Sequence, residues 1–232
     1  MSESPRASSL TVVRLGRIAY AAALEHQLRA VERVKTTRDQ ARPEEFLLLV
    51  EHDPPVVTIG RSGGSGNVLL PREALAARGV ELHESSRGGD VTYHGPGQMV
   101  AYPVIDLALH GRDVHRYLRD LEQVVMALLA RHGIEGRRDA KYTGVWVGDE
   151  KVCAIGVAIT RWVTYHGLAL NVSTDLSHFA LIVPCGISDR GVTSLEKLLG
   201  QPVSMEHAAA ELVEEFARVF GFAGVDEKAE LP

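Results

Sequence analysis

The stretch from Thr143 to Val172 constrains the fold most. TGVWVGDEKVCAIGVAI (143–159) reads as a hairpin that turns at Gly148-Asp149-Glu150, with Lys151 beginning the second arm. VTYHGLALNV (163–172) reads as a further strand. The same β-rich texture recurs upstream in TVVRLG (11–16), EFLLLVEH (45–52), PVVTIG (55–60), VELHES (80–85) and MVAYPVIDL (99–107), with Asp53-Pro54-Pro55 marking a turn. Segments of helical spacing lie between them: 19–38, a short PREALAARG (71–79) stopped by Gly79, and 114–133 closed by Gly133. Hairpin-like strands with helices between them predict an α+β (mixed α/β) fold, a mixed β-sheet with helices packed on it.

Beyond PCG the texture changes. VTSLEKLLG (192–200), capped by Thr193 or Ser194, and SMEHAAAELVEEFARVFG (204–221), capped by Ser204, read as two helices with no strand between. One domain over 11–224 is expected, with its last ~45 residues a small helical part. Residues 1–10 are expected to be a disordered tail, and 225–232 a tail that frays.

Composition narrows the function. A net charge of -5 argues against nucleic-acid binding. No apolar run approaches the ~18 residues of a membrane span, and MSESPRASSL carries no apolar signal core. Two cysteines do not make a disulfide framework. A cytoplasmic protein with reduced thiols is therefore expected. Ten histidines are present, but no HxxxH with a glutamate and no CxxC, so neither a metal nor a cofactor is expected.

Three stretches carry candidate chemistry. RGGDVTYHGPGQ (87–98) has four glycines in twelve residues, a planar donor fork at Arg87 and a titratable His94. It reads as a long loop, and it is neither a P-loop nor a dinucleotide fingerprint. His94 and His166 both stand beside glycine and could line a pocket. In KVCAIGVAI, Lys151 opens an apolar strand. Period-two alternation puts Cys153 on the same face as Lys151, in surroundings that suit a small buried residue. In LIVPCGISDRG, Cys185 sits between Pro184 and Gly186, a turn that can expose a thiol and aim amide donors at a developing oxyanion. A nearby cation would activate that thiol, and Lys151 is the candidate.

RGGDVTYHGPGQMVAYP, KVCAIGVAI, HGLALNV and IVPCGI, preceded by EHDPPVVTIGR, follow one another in an order and spacing that resembles the lipoyl(octanoyl) transferases. The resemblance runs from about Leu15 to near Leu198. It implies a fold similar to the catalytic domains of biotin and lipoate protein ligases. It also implies transfer of an octanoyl group from octanoyl-acyl carrier protein to a lysine of lipoyl domains. The acceptors would be those of 2-oxoacid dehydrogenase complexes and the glycine cleavage H protein. Cys185 would carry the acyl group as a thioester, and Lys151 would lower the thiol's pKa and shuttle protons. The acyl chain would lie on Arg87, Gly88, Gly89, Asp90, Val91, Thr92, Tyr93 and His94, on Ala154, Ile155 and Gly156, and on Gly167, Leu168 and Ala169. Cys153 departs from the small residue expected at its position. Arg137, Arg138 and Lys141 form a basic cluster that could steer acidic carrier domains or simply be a solvated patch. A monomer is expected. The rival readings are an ATP-dependent lipoate-protein ligase, a non-catalytic acyl- or lipoyl-binding relative, and a thioesterase or amidase using Cys185.

Overall fold

The apolar run EFLLLV lies in a strand buried from both sides, which is why it lacks polar alternation. The computed structural model describes residues 9–41, 43–183 and 190–231. Its strands are β1 (Ser9–Ile18), β2 (Glu45–His52), β3 (Val56–Ile59), β4 (Glu81–Glu84), β5 (Val91–His94), β6 (Gln98–Val104), β7 (Arg137–Arg138), β8 (Gly144–Val147), β9 (Glu150–Thr160), β10 (Val163–Asn171), β11 (Gly191–Val192) and β12 (Gly224–Lys228). Its helices are α1 (Tyr20–Thr37), α2 (Arg72–Ala76), α3 (Val114–Arg131), α4 (Leu195–Leu199) and α5 (Met205–Phe220).

Among the described residues, the larger sheet runs in the order β12-β1-β2-β6-β10-β9-β8-β7, and β11 pairs with β9 off this path. β1 is parallel to β2 and β12, and β11 is parallel to β9; the remaining pairs are antiparallel. This is the expected mixed sheet with helices packed on it. Phe46, Leu48 and Val50 meet Ala23, Ala30 and Val34 of α1 on one face. Leu47 and Leu49 share the other face with Leu121, Val125 and Leu128 of α3 and Leu212 and Phe216 of α5. A smaller sheet, β4-β3-β5, has its own core around Val57, Leu75, Val80 and Tyr93.

Three expectations are corrected. Residues 86–98 are not one loop: Val91–His94 pair with β3, because Val91 and Tyr93 alternate into the small sheet's core. Residues 225–232 do not fray as a unit, because Gly224–Lys228 form β12 beside β1 and Arg14 bonds Glu227. That pairing begins at Ser9, so Ser9 and Leu10 belong to β1 rather than to a tail. The two late helices are present, and α5 packs into the main core. The caps are Ser194, accepting from Lys197 N–H (3.2 Å), and Ser204, accepting from His207 N–H (3.3 Å). Among the described residues no helix is long and apolar enough to cross a membrane.

Candidate active site

A single irregularity in β9 sets the site. Val145 pairs with Cys153 and Trp146 with Lys151, so one step on β8 spans two on β9 and Val152 is an extra residue. Val152 and Cys153 consequently both enter the main core, while Lys151 joins Ala154 and Gly156 at a cavity on the opposite face. The expectation that Lys151 and Cys153 share a face is thereby overturned: the bulge shifts the alternation by one residue. Cys153 is 0% exposed, and burial pushes its thiol up to about 12, which suits a packing residue and not a nucleophile.

The cavity lies between the α1 face of the large sheet and the loop leading into β5. Arg87 buckles this loop to β3 by donating to the Thr58 carbonyl (2.7 Å) and hydroxyl (2.9 Å) and to the Gly88 carbonyl (3.1 Å). Gly88 N–H donates to the Val157 carbonyl at 2.8 Å, pulling the loop against β9. A Cβ at position 156 would lie 2.9 Å from the Gly88 carbonyl oxygen and 3.1 Å from Arg87 Cδ. Glycine is what lets loop and strand approach this closely.

Between the Arg87–Asp90 loop and Lys151, the inner wall is polar and built on buried histidines. His52 Nδ1 donates to the Ile18 carbonyl, so its Nε2 accepts from Tyr102 Oη at 2.6 Å. His94 Nδ1 donates to Gln98 Oε1 (2.7 Å), and Gln98 Nε2 donates to Asn171 Oδ1 (2.9 Å). His166 Nε2 meets Ser86 Oγ at 3.1 Å, and Tyr20 donates to Ser85 Oγ at 2.9 Å. Burial holds His52 down to about 4 and His166 to about 3, and it holds His94 well below the usual imidazole range. Neutral rings, bonded to Tyr102, Gln98 and Ser86, put little charge on this wall. His166 adopts φ 56°, a left-handed conformation for a residue with a side chain, and its N–H is secured by Gln27 Oε1 at 2.7 Å.

At the other end stands Lys151, 8% exposed, with Nζ 3.4 Å from the Thr143 carbonyl and 4.8 Å from the centroid of the Trp146 ring. Arg190 covers the same ring at 5.1 Å and bonds Asp139 at 2.6 Å. Val192 pairs with Lys151, and Thr193 N–H donates to the Lys151 carbonyl at 3.0 Å.

Of the residues singled out in the sequence, Lys151, Arg87 to Thr92, His94, Ala154 to Gly156 and Gly167 to Ala169 all border this cavity. Tyr93 does not. Strand alternation in β5 turns it into the small sheet's core, where its hydroxyl meets His178 Nδ1 at 2.6 Å. Cys185 lies outside the described residues. Arg137 is paired with Asp139 and Asp149, and Arg138 with Glu122, while Lys141 lies 5.0 Å from the Tyr142 ring centroid. The basic cluster is thus largely neutralised by its own neighbours. Tyr20 and Thr143 also line the cavity and carry no local signal in sequence, and Val100 and Tyr102, at the MVAYP end of the glycine-loop motif, line it from β6.

The model of the lipoyl protein ligase A/B catalytic domain matches residues 19–217. The octanoyltransferase of Caldicellulosiruptor saccharolyticus is 51% identical over 199 residues, covering 85% of this chain and 84% of that protein. The octanoyltransferase of Desulforamulus reducens is 47% identical over 214 residues, covering 92% of each. A putative lipoate protein ligase from T. acidophilum, solved with bound lipoic acid, superposes with a TM-score of 0.71 at 17% identity, over 95% of this chain and 88% of that one. A biotin protein ligase from Aquifex aeolicus superposes with a TM-score of 0.51 at 11% identity, over 91% and 68% respectively. These two likenesses bear on the fold alone, and they match the expected similarity to ligase catalytic domains.

Proposed function

The chain belongs to the octanoyltransferases of the lipoyl protein ligase A/B catalytic-domain family, acyltransferases by activity, and on that premise we propose the route its octanoyl group takes. The donor is octanoyl-acyl carrier protein. The acceptor is a lysine of a lipoyl domain, in a 2-oxoacid dehydrogenase complex or the glycine cleavage H protein. Cys185 carries the acyl group between them. The reaction proceeds in the cytoplasm, with a monomeric enzyme and without a cofactor.

One observation carries this reading: Lys151, the Arg87 loop and the small residues of β9 and β10 border one cavity. The described flanks of the Cys185 segment each contact a residue that itself touches that border. Val183 N–H donates to the Asn67 carbonyl at 2.8 Å, and Asn67 in turn bonds Asp90; Arg190 lies over the Trp146 ring that Lys151 also covers.

In the first step Lys151 takes the Cys185 proton and the thiolate adds to the thioester carbonyl carbon. The carbon–sulfur bond to the carrier breaks, and the carrier thiol leaves with that proton. In the second, the acceptor amine attacks the same carbon, an amide forms, and Cys185 leaves as the thiolate while Lys151 collects the amine proton. Thioester exchange is nearly isoenergetic and amide formation is downhill, so no ATP is required. Burying the chain contributes at most roughly 0.8 kcal/mol per methylene, enough to favour a medium length.

The test is intact-mass spectrometry after incubation with octanoyl-acyl carrier protein and no nucleotide. One hydroxylamine-labile octanoyl adduct is expected, absent in Cys185→Ser. Transfer that needs ATP, or that survives Cys185→Ser, overturns the proposal.

A further inference from the structure

We infer that Glu122 is a positioning residue for Lys151, acting through the single peptide group between Thr143 and Gly144. The inference rests on the role proposed for Lys151. Glu122 is a fully buried carboxylate on α3, at a place where packing alone would be served by an apolar side chain. Its Oε2 accepts from Arg119 Nη1 (2.7 Å) and Arg138 Nε (3.1 Å), which hold it from the solvent side. Its Oε1 accepts from the Gly144 N–H at 3.2 Å. The carbonyl of that same peptide, on Thr143, accepts from Lys151 Nζ.

A peptide group is planar and rigid. Fixing its N–H end against Glu122 therefore fixes the direction of its C=O end. Lys151 has three ammonium donors, and among the described residues this carbonyl is the hydrogen-bond acceptor they meet. The tilt of one peptide thus decides where the ammonium rests relative to the cavity. Gly144 has φ 130°, and a Cβ there would sit 2.5 Å from the Cys153 carbonyl oxygen, so the turn admits only glycine. Arg138, which the sequence offers as part of a surface patch, here braces the carboxylate and also donates to the Arg119 carbonyl (3.0 Å) and Gln123 Oε1 (3.1 Å).

The experiment uses the full chain carrying Trp162→Phe, which leaves Trp146 as its sole indole. Lys151→Met and Glu122→Gln are each expected to change Trp146 emission in the same direction, because both remove the ammonium from the ring. Glu122→Gln is expected to lower kcat for octanoyl transfer by about 10- to 100-fold, the cost of a misplaced group, with little change in KM for the donor. In a Lys151→Ala background the same substitution should cost less than about twofold, because the two act as a unit. Unchanged Trp146 emission in folded Glu122→Gln, or equal losses in both backgrounds, overturns the inference. Failure of the proposed Lys151 role looks different: Lys151→Ala would transfer at the normal rate while the emission change persisted. If Glu122→Gln does not fold, Arg138→Gln frees the same carboxylate from outside and is read by the same two measurements.

Discussion

Lys151 and Trp146 face each other across paired strands, with the ammonium 4.8 Å from the ring centroid. The indole face supplies attraction where water is largely excluded, worth roughly 0.5–2 kcal/mol. Transfer should therefore fall in the order Trp146, Trp146→Phe, Trp146→Leu, the last by roughly 2- to 30-fold in kcat. Lys151→Arg should not restore activity to a wild-type ring, since a guanidinium does not exchange protons near neutrality. Steady-state kinetics on the three ring variants checks the order; equal rates would remove Trp146 from the site.

The two thiols should differ sharply in reactivity. Cys153 is sealed in the core and its thiol is pushed up to about 12. Iodoacetamide at pH 8 should label one cysteine in the native protein and two in denaturant. Peptide mapping should place the native label on Cys185, and Cys153→Ala should leave transfer largely intact. A native label on Cys153 would contradict the burial described.

Gly156→Ala should damage the donor side of the reaction. The added methyl meets the Gly88 carbonyl and Arg87 Cδ, so the loop must move off β9 or the cavity must narrow. KM for octanoyl-acyl carrier protein is expected to rise while circular dichroism stays native. A variant with unchanged KM would show that the loop gives way freely.

The buried histidines predict acid sensitivity. His52 is held down to about 4 and His166 to about 3, whereas an unfolded histidine titrates near ~6.5. Between those values the unfolded chain binds protons that the folded chain refuses, so this stabilisation is complete above pH ~6.5 and is lost as pH falls towards 4. Each such histidine should contribute a slope of up to ~1.4 kcal/mol per pH unit. Urea midpoints from pH 7 to pH 4 should fall steeply, and His166→Gln should flatten the decline. A flat profile in the wild type would refute the depressed values.

Much of this architecture is legible in the chain because burial leaves periodic marks. EFLLLVEH reads as a strand without ambiguity, and Ser204 is visible as a cap. The glycine loop, the KVCAIGV strand and HGLALN converge on one cavity in the order in which they can be read. What stays hidden is set by register and by long-range pairing. VTYH is concealed inside a glycine-rich stretch, since four residues suffice once β3 supplies the partner. Gly224–Lys228 reads as a polar tail because edge pairing with β1 buries none of its side chains. Tyr20 reaches the cavity from α1, an element with no local motif. Cys153 looks like Lys151's neighbour because nothing in the letters announces an extra residue.

That extra residue has a consequence for anyone moving this chemistry elsewhere. Ala154 and Gly156 border the cavity from even-numbered positions of β9, while at the start of the strand the odd-numbered Lys151 does. The lysine and the acyl bed are thus out of phase, and Val152 is the clutch between them. A transplant of Lys151 and the AIG floor onto a regular strand would aim the ammonium into the core. Deleting Val152 alone, by contrast, leaves Lys151 two places from Ala154 and back in phase with it, so that deletion should cost core packing and not the aim of the lysine.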